Sequence, residues 1–418
     1  MLRPIPRFAA LVVACLCIPA GSALRAEEVP PEPGTTNYTR AVSGHDRVSL
    51  DVAIREMVPE SGDGPRVWLV GVIHIADAAY YRLLQSTLDL YPAVLYESVM
   101  PAGAGRLRSA DPHLQIADTE VRLALLAEWT KRLQDRLERL PDDYRGLLDA
   151  MAAVAPRLGH LVSRVRLDAW GHPIRYEAND QAWRFVSLGA DGEPGGEGDA
   201  RDLVADATTG SSEEELRREP FSLQTRLAEA LDLVHQGQGV DYGRKGWQPS
   251  DMAIDEVRRA VAARGGDFSK AEDMLAGRGL TGVMVRLFLG LLKAMDALTG
   301  GEARLAVKAT LVEALGNGPI EPEADGTFDK ATIGAIIDDR NQVVMDDLDL
   351  LRALCAELPS IAIFYGAGHM PDFERRLAER GYVPGRMRWL RAIDVDLSGT
   401  GSFTRSLRRR LEQQTRDR

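Results

Sequence analysis

Two histidines stand in the same local setting. His74 closes the run Val67–His74 (VWLVGVIH), and His369 closes Ile361–His369 (IAIFYGAGH). Each ends a G-x-x-H stretch that follows an apolar, strand-like run. A carboxylate, Glu97, ends a third such run, Ala93–Glu97 (AVLYE). In open α/β sheets the crevice at the carboxyl ends of strands is where ligands bind. Imidazoles and a carboxylate gathered there would do acid–base or metal-ligand chemistry. The plain alternative is that each histidine hydrogen-bonds the start of a helix. A lone GxxH is a weak signal, and the repeated context points to one composite site. Both readings stand on the pattern alone.

The elements that must position these groups follow from periodicity. Val67–Ile73 is rich in β-branched residues and reads as a buried strand. Gly71 lies within it, where another backbone or a ligand can approach closely. Asp77 then opens a segment with Ala78, Tyr81, Leu84 and Leu88 at helical spacing. After His369, Pro371–Arg380 reads as a helix with proline in its first turn. Val48, Leu50, Val52 and Ile54 alternate as in a half-buried strand. The turn chemistry of Ser61–Pro65 folds that strand back on Val67–Ile73 as a hairpin. Helices are predicted over 115–140, 143–165, 221–234, 250–264, 280–298 and 333–358, and a closing strand over 387–396. The fold class is α/β (α+β): a mixed β-sheet flanked by many helices, with two strand–GxxH–helix half-sites and a small β-hairpin insertion.

The chain has 418 residues and a net charge of -11, with no dominant basic stripe, so nucleic acid is not a predicted partner. Arg3 and Arg7, the apolar run 8–18 and the small residues 19–26 form an export signal. A rival reading takes Val12–Cys15 as a lipobox, with Cys15 lipid-anchored. Either way the expected location is the periplasm or cell envelope. Of three cysteines, only Cys355 lies beyond the signal, so no disulfide framework is expected. Leu280–Leu298 is apolar but interrupted by Arg286 and Lys293, and reads as a packed helix rather than a membrane span.

Residues 168–203 differ from everything around them: DAWGHPIRYE, then VSLGADGEPGGEGDARDL. Glycine and aspartate crowd together between short strand-like runs, 174–176 and 183–187. Closely spaced carboxylates on a Gly-rich loop are hard oxygen ligands free to wrap a calcium ion. The plain alternative is a solvated loop.

Taken together, GVIH with His74, YES with Glu97, VDYGRKGWQPSDM (240–252), DDRN with Arg340 and Asn341, and GAGHMPDFERRLAERGY (366–382) resemble the TraB/PrgY/GumN–Tiki superfamily. The resemblance runs from about 47 to 396. It implies an α/β fold that brings the two GxxH sites together and, for the Tiki branch, a metal-dependent protease. On that basis His74, Glu97 and His369 are expected to hold a divalent transition metal (Mn, Co or Zn), with Asp251 as an extra or outer ligand. Arg340 would stabilise an oxyanion and Asn341 would orient substrate. The plain alternatives are a helix-pairing role for Arg340 and a helix first-turn role for Asp251. The 168–203 segment is similar to the C-terminal core of the major pseudopilin of type II secretion. That resemblance implies calcium held by the Leu188 carbonyl and Asp191, with Asp199 and Asp202.

The resulting organisation is signal 1–26, flexible lead 27–46, a TraB/Tiki-like domain in two parts (47–166 and 206–400), the pseudopilin-like insertion 167–205 and a basic tail 401–418. The other histidines (His45, His113, His160, His172, His235) have no partner at ligand spacing. HExxH, GxSxG and P-loop motifs are absent. Two functions follow: an exported metal-dependent hydrolase acting on a peptide or protein, or a non-catalytic protein that binds a peptide or a secretion-system component through the insertion.

Overall fold

The computed structural model describes residues 37–98, 111–137, 139–154, 165–179, 182–209, 222–269, 279–316, 330–355, 357–401, 404 and 409. The export signal with Cys15, and nearly all of the basic tail, lie outside these residues.

Along the chain the elements are β1 (Thr39–Ser43), β2 (Arg47–Pro59), β3 (Arg66–Val72), β4 (Ile75–Ala76), α1 (Ala78–Leu88), β5 (Ala93–Tyr96), α2 (Pro112–Gln134), α3 (Tyr144–Val154), β6 (Arg175–Ala178), β7 (Trp183–Ser187), β8 (Leu203–Asp206), α4 (Ser222–Ala230), β9 (Val234–His235), α5 (Gln236–Gly239), β10 (Trp247–Pro249), α6 (Ile254–Ala263), α7 (Gly279–Leu298), α8 (Glu302–Gly316), α9 (Lys330–Gly334), a π-helical turn (Ala335–Asp339), α10 (Arg340–Leu354), β11 (Ser360–Gly366), α11 (Met370–Ala378) and β12 (Tyr382–Asp396). They divide into two compact units. The first takes Met1–Glu97, Glu219–Gly246 and Asp267–Arg418; the second takes Ser98–Arg218 and Trp247–Gly266.

The first unit is built on a mixed sheet, as the α/β reading expects. Its strands run β1-β2-β3-β11-β5, and β12 lies along the other edge of β2. β3, β11 and β5 are parallel, whereas β2 runs antiparallel to β1, β3 and β12. The parallel strands are apolar nearly throughout because both faces are covered. Val67, Leu69, Val70, Val94, Ile361, Ile363 and Phe364 are fully buried. The register aligns the strand ends: Gly366 lies opposite Val72, and Phe364 opposite Tyr96. β11 is thus the middle strand, and the residues that follow all three strands emerge together.

The expected flexible lead is partly ordered. Within 27–46, β1 pairs Thr39–Ser43 with Val52–Val48. Tyr38 and Thr39 are buried, and the Thr39 hydroxyl donates to the Leu315 carbonyl of α8 at 2.8 Å. The proline- and glutamate-rich composition of the preceding residues masked this short strand.

The second unit has its own core. β6, β7 and β8 form an antiparallel sheet. Leu123, Leu126, Trp129, Leu133 (α2), Leu147 and Met151 (α3), Ile174, Trp183, Phe185, Leu203 and Ala205 form one buried cluster. The segment 167–205 lies inside this unit. The expected hairpin gains a third strand, β8, in which Leu203 and Ala205 face the core. Four residues are too few for alternation to stand out in sequence. Asp168 organises the entrance to the sheet. Its Oδ1 accepts from the Trp170 and His172 amides, and its Oδ2 from the Ser187 hydroxyl at 2.6 Å.

A candidate active site where three parallel strands end

His74 follows β3, Glu97 follows β5, and His369 follows β11 between them. Glu97 continues the parallel ladder, its amide donating to the Phe364 carbonyl at 2.9 Å. Its Oε2 accepts from the Gly366 amide at 2.7 Å, and its Oε1 from Arg340 Nη2 at 2.8 Å. His369 Nε2 stands 3.9 Å from the same Oε1. The glycine of the second GxxH therefore serves the carboxylate directly. A side chain at Gly366 would come within 3.2 Å of Glu97 Oε2.

Arg340 and Asn341 arrive from the far side, at the start of α10. The π-helical turn before them carries five residues, Ala335–Asp339. Such turns change the phase of a helix and recur at functional sites. Here the two neighbouring residues part company, Arg340 to Glu97 and Asn341 to His369. The Arg340 guanidinium also lies 5.9 Å from the Tyr365 ring.

Asn341 is fully buried. In this structure its side chain is engaged within the protein. Its Oδ1 lies 2.7 Å from His369 Nδ1, and its Nδ2 donates to Asp372 Oδ2 at 2.9 Å. Arg375 and Arg376 hold the Asp372 carboxylate in turn.

His74 is more exposed than His369, and its Nδ1 lies 2.9 Å from Gln236 Oε1. The Gln236 amide donates to the His74 carbonyl at 2.8 Å, and Gln236 Nε2 to the Tyr242 hydroxyl at 2.7 Å. The pairing of β4 with β9 brings these segments together. The Tyr242 ring packs 4.9 Å from Tyr96 and 6.2 Å from Phe364. Sequence reasoning missed Gln236, Tyr242 and Asp372. Gln236 lies 162 positions from His74 and carries no local pattern. Asp372 could have been suspected as an acid in the first turn of the helix after GAGH.

The electrostatics set the two central groups apart. Burial pushes the Glu97 carboxyl up, but Arg340, both histidines and the Gly366 amide outweigh it and bring the pKa down to about 2. Burial takes the His369 imidazole down to about 3; Glu97 opposes this, and Arg340 and His74 add to it. At neutral pH Glu97 is an anion and His369 is neutral.

Asp251 belongs to the second unit. It is buried, with Oδ2 accepting from the Ser98 amide at 3.0 Å and Oδ1 from the Met252 amide at 2.7 Å. It precedes α6 rather than occupying its first turn, which carries Asp255 and Glu256. Leu188, Asp191, Asp199 and Asp202 share one loop. The Ala190 amide donates to the Asp199 carbonyl at 2.8 Å, and Asp202 and Gly195 are joined by two bonds. Asp191 Oδ1 accepts from the Glu193 amide at 3.1 Å. Among the described residues no three His, Cys, Asp or Glu side chains stand close enough together to hold an ion.

Comparison with known proteins gives one family. Residues 119–206 match that of the type II secretion system (T2SS), protein G. The match begins inside α2 and ends with β8, so it takes in most of α2, all of α3 and all three strands of the small sheet. No curated protein and no solved structure matches the chain. No helix among the described residues is long and apolar enough to cross a membrane.

Proposed function

We propose that the first unit is a hydrolase of the TraB/Tiki type acting on peptide bonds, with a divalent transition metal (Mn, Co or Zn) held by His74, Glu97 and His369. The observation that carries this reading is the convergence of His74, Glu97, His369 and Arg340 at the ends of three neighbouring parallel strands. The donor types, two imidazoles and a carboxylate, are those such an ion takes, and in this structure the three side chains are not drawn closely enough together to hold one. Glu97 is ionised, and each histidine has its Nδ1 engaged by a side-chain amide, the outer-sphere arrangement typical of metal-binding imidazoles. When bound, the ion supplies Lewis acidity that makes water a nucleophile near neutral pH. The chain's own residues do the rest. Arg340 supplies the cation for a developing oxyanion, the Gly366 amide fixes the carboxylate, and Asn341 fixes His369.

The test is cleavage of a peptide library with Mn²⁺, Co²⁺ and Zn²⁺ in turn, alongside metal analysis of the purified protein. Stoichiometric metal that is lost in the His74→Ala/His369→Ala double variant supports the hydrolase. Protein with no bound metal and no metal-stimulated cleavage overturns it.

The match of residues 119–206 to protein G favours a second reading. The chain would then bind a peptide or a component of a secretion system through the second unit, at the cell envelope, without catalysis. That unit would hold calcium on its loop through the Leu188 carbonyl, Asp191, Asp199 and Asp202. The carboxylates there repel one another until a cation neutralises them.

A further inference from the structure

The two histidines are held in matching ways. In each, the ring atom engaged by the protein is Nδ1, and the partner is the oxygen of a side-chain amide: Asn341 Oδ1 at 2.7 Å for His369 and Gln236 Oε1 at 2.9 Å for His74. For His369 the direction of the bond is determined. Asp372 offers its amide partner only a carboxylate, with Arg375 and Arg376 on its oxygens. The NH₂ of Asn341 must face that carboxylate, so its oxygen must face the ring. An oxygen accepts, so Nδ1 carries the proton and Nε2 is left with its lone pair. The chain Asp372–Asn341–His369 thus sets a tautomer.

We infer that Gln236 is the positioning residue of His74, setting the same tautomer so that both rings present an unprotonated Nε2. Two contacts hold it, and the second partner is itself anchored. Its backbone amide is bonded to the His74 carbonyl, which ties the two residues at the main chain. Its NH₂ is occupied by the Tyr242 hydroxyl at 2.7 Å, which leaves Oε1 for the ring. Tyr242 is buried against Tyr96 and Phe364, the last residue of β5 and a residue near the end of β11. The orientation of His74 is thereby referred to the two strands that carry Glu97 and His369. In water the Nε2–H form of histidine is the commoner, so an Nδ1–H form at both rings has to be imposed. This inference deepens the hydrolase reading and rests on it for its use, because lone pairs at both Nε2 atoms are what a bound cation or a proton acceptor needs.

The experiment is a ¹H–¹⁵N correlation at the imidazole nitrogens of the full chain, labelled at histidine, near neutral pH. Resonances are assigned by His74→Gln and His369→Gln. The expected result is a proton on Nδ1 of both His74 and His369. Gln236→Leu should remove the His74 Nδ1–H signal and leave that of His369 in place. Gln236→Glu, which keeps an acceptor, should retain it. The His369 signal also reports that the Leu variant is folded. Tyr242→Phe frees the Gln236 NH₂ and should weaken the His74 signal without abolishing it. A His74 proton on Nε2 in the wild type overturns the inference, as does an unchanged Nδ1–H signal in folded Gln236→Leu. Peptide cleavage measured on the same samples separates the two ideas. Correct tautomers without metal-stimulated cleavage would sink the hydrolase and leave the positioning role standing.

Discussion

The Arg340 guanidinium meets the Glu97 carboxylate at 2.8 Å, with only 7% of one side chain and 12% of the other exposed. A charge pair so enclosed is costly to break from one side, because the surviving charge stays buried. Arg340→Met and Glu97→Gln should each destabilise the first unit by about 3–5 kcal/mol. The double variant should recover a large part of that loss. Denaturant unfolding of the four proteins measures the coupling. Losses that simply add would mean the two groups do not sense each other.

Gly366 is the second pressure point. A methyl group there would press on Glu97 Oε2 at 3.2 Å and touch the His369 ring at 3.7 Å. Gly366→Ala should cost no more than about 1–3 kcal/mol of stability while lowering any hydrolytic turnover much further. Unfolding curves and peptide cleavage on the same preparation test this. Full activity would show that the carboxylate position is not critical.

How much of this was legible in the chain depends on distance along it. The buried strands and the GxxH histidines announced themselves, because an apolar run followed by a polar group and a helix is a local pattern. Glu97 was legible for the same reason. Asn341 was legible from its motif, but its contacts with His369 and Asp372 appear only in the fold. Gln236 was invisible because its role exists only through the two-residue pairing of β4 with β9. In the second unit the motif DAWGHP was evident, whereas its dependence on α2 and α3 was not. Helix periodicity says which face is buried, not what it is buried against.

In the second unit Glu256 should make stability fall as pH rises. Burial pushes this carboxyl up; the Ala253 amide pulls it down, Asp255 and Asp118 add to the rise, and Arg259 opposes it, with the net pKa at about 7 against an ordinary 4.5. Unfolded, the group loses its proton near 4.5; folded, it holds it until near 7. Between those values the unfolded state gains charge more easily, so stability is highest below about 4.5 and declines up to about 7. The total change is on the order of 1–3 kcal/mol. Glu256→Gln should flatten the pH dependence of the thermal midpoint in that window. An unchanged slope would remove Glu256 as its source.

The glycine loop offers a test of cation binding. If the Leu188 carbonyl with Asp191, Asp199 and Asp202 holds calcium, then proteolysis between 189 and 202 should slow with Ca²⁺ and be restored by Asp191→Ala. Equal cleavage in all samples would argue against a cation there. A separate control is Gly196→Ala. Its φ is +83°, and an added methyl would strike the Ala200 carbonyl oxygen at 2.3 Å. This variant should open the loop with or without the ion.

The middle position of β11 also governs when the proposed site can assemble. β3 and β5 are made early but are not neighbours; the strand that separates and joins them starts at Ser360. A nascent chain that has released His74 and Glu97 still lacks the partner that aligns them. The described residues of the second unit, by contrast, are all synthesised before β11, and domains generally fold as units during synthesis. The proposed site is therefore assembled last. His74 and Glu97 are brought alongside each other only by the closing segment, and a product truncated before residue 360 would lack the assembled site, however well its remaining parts fold.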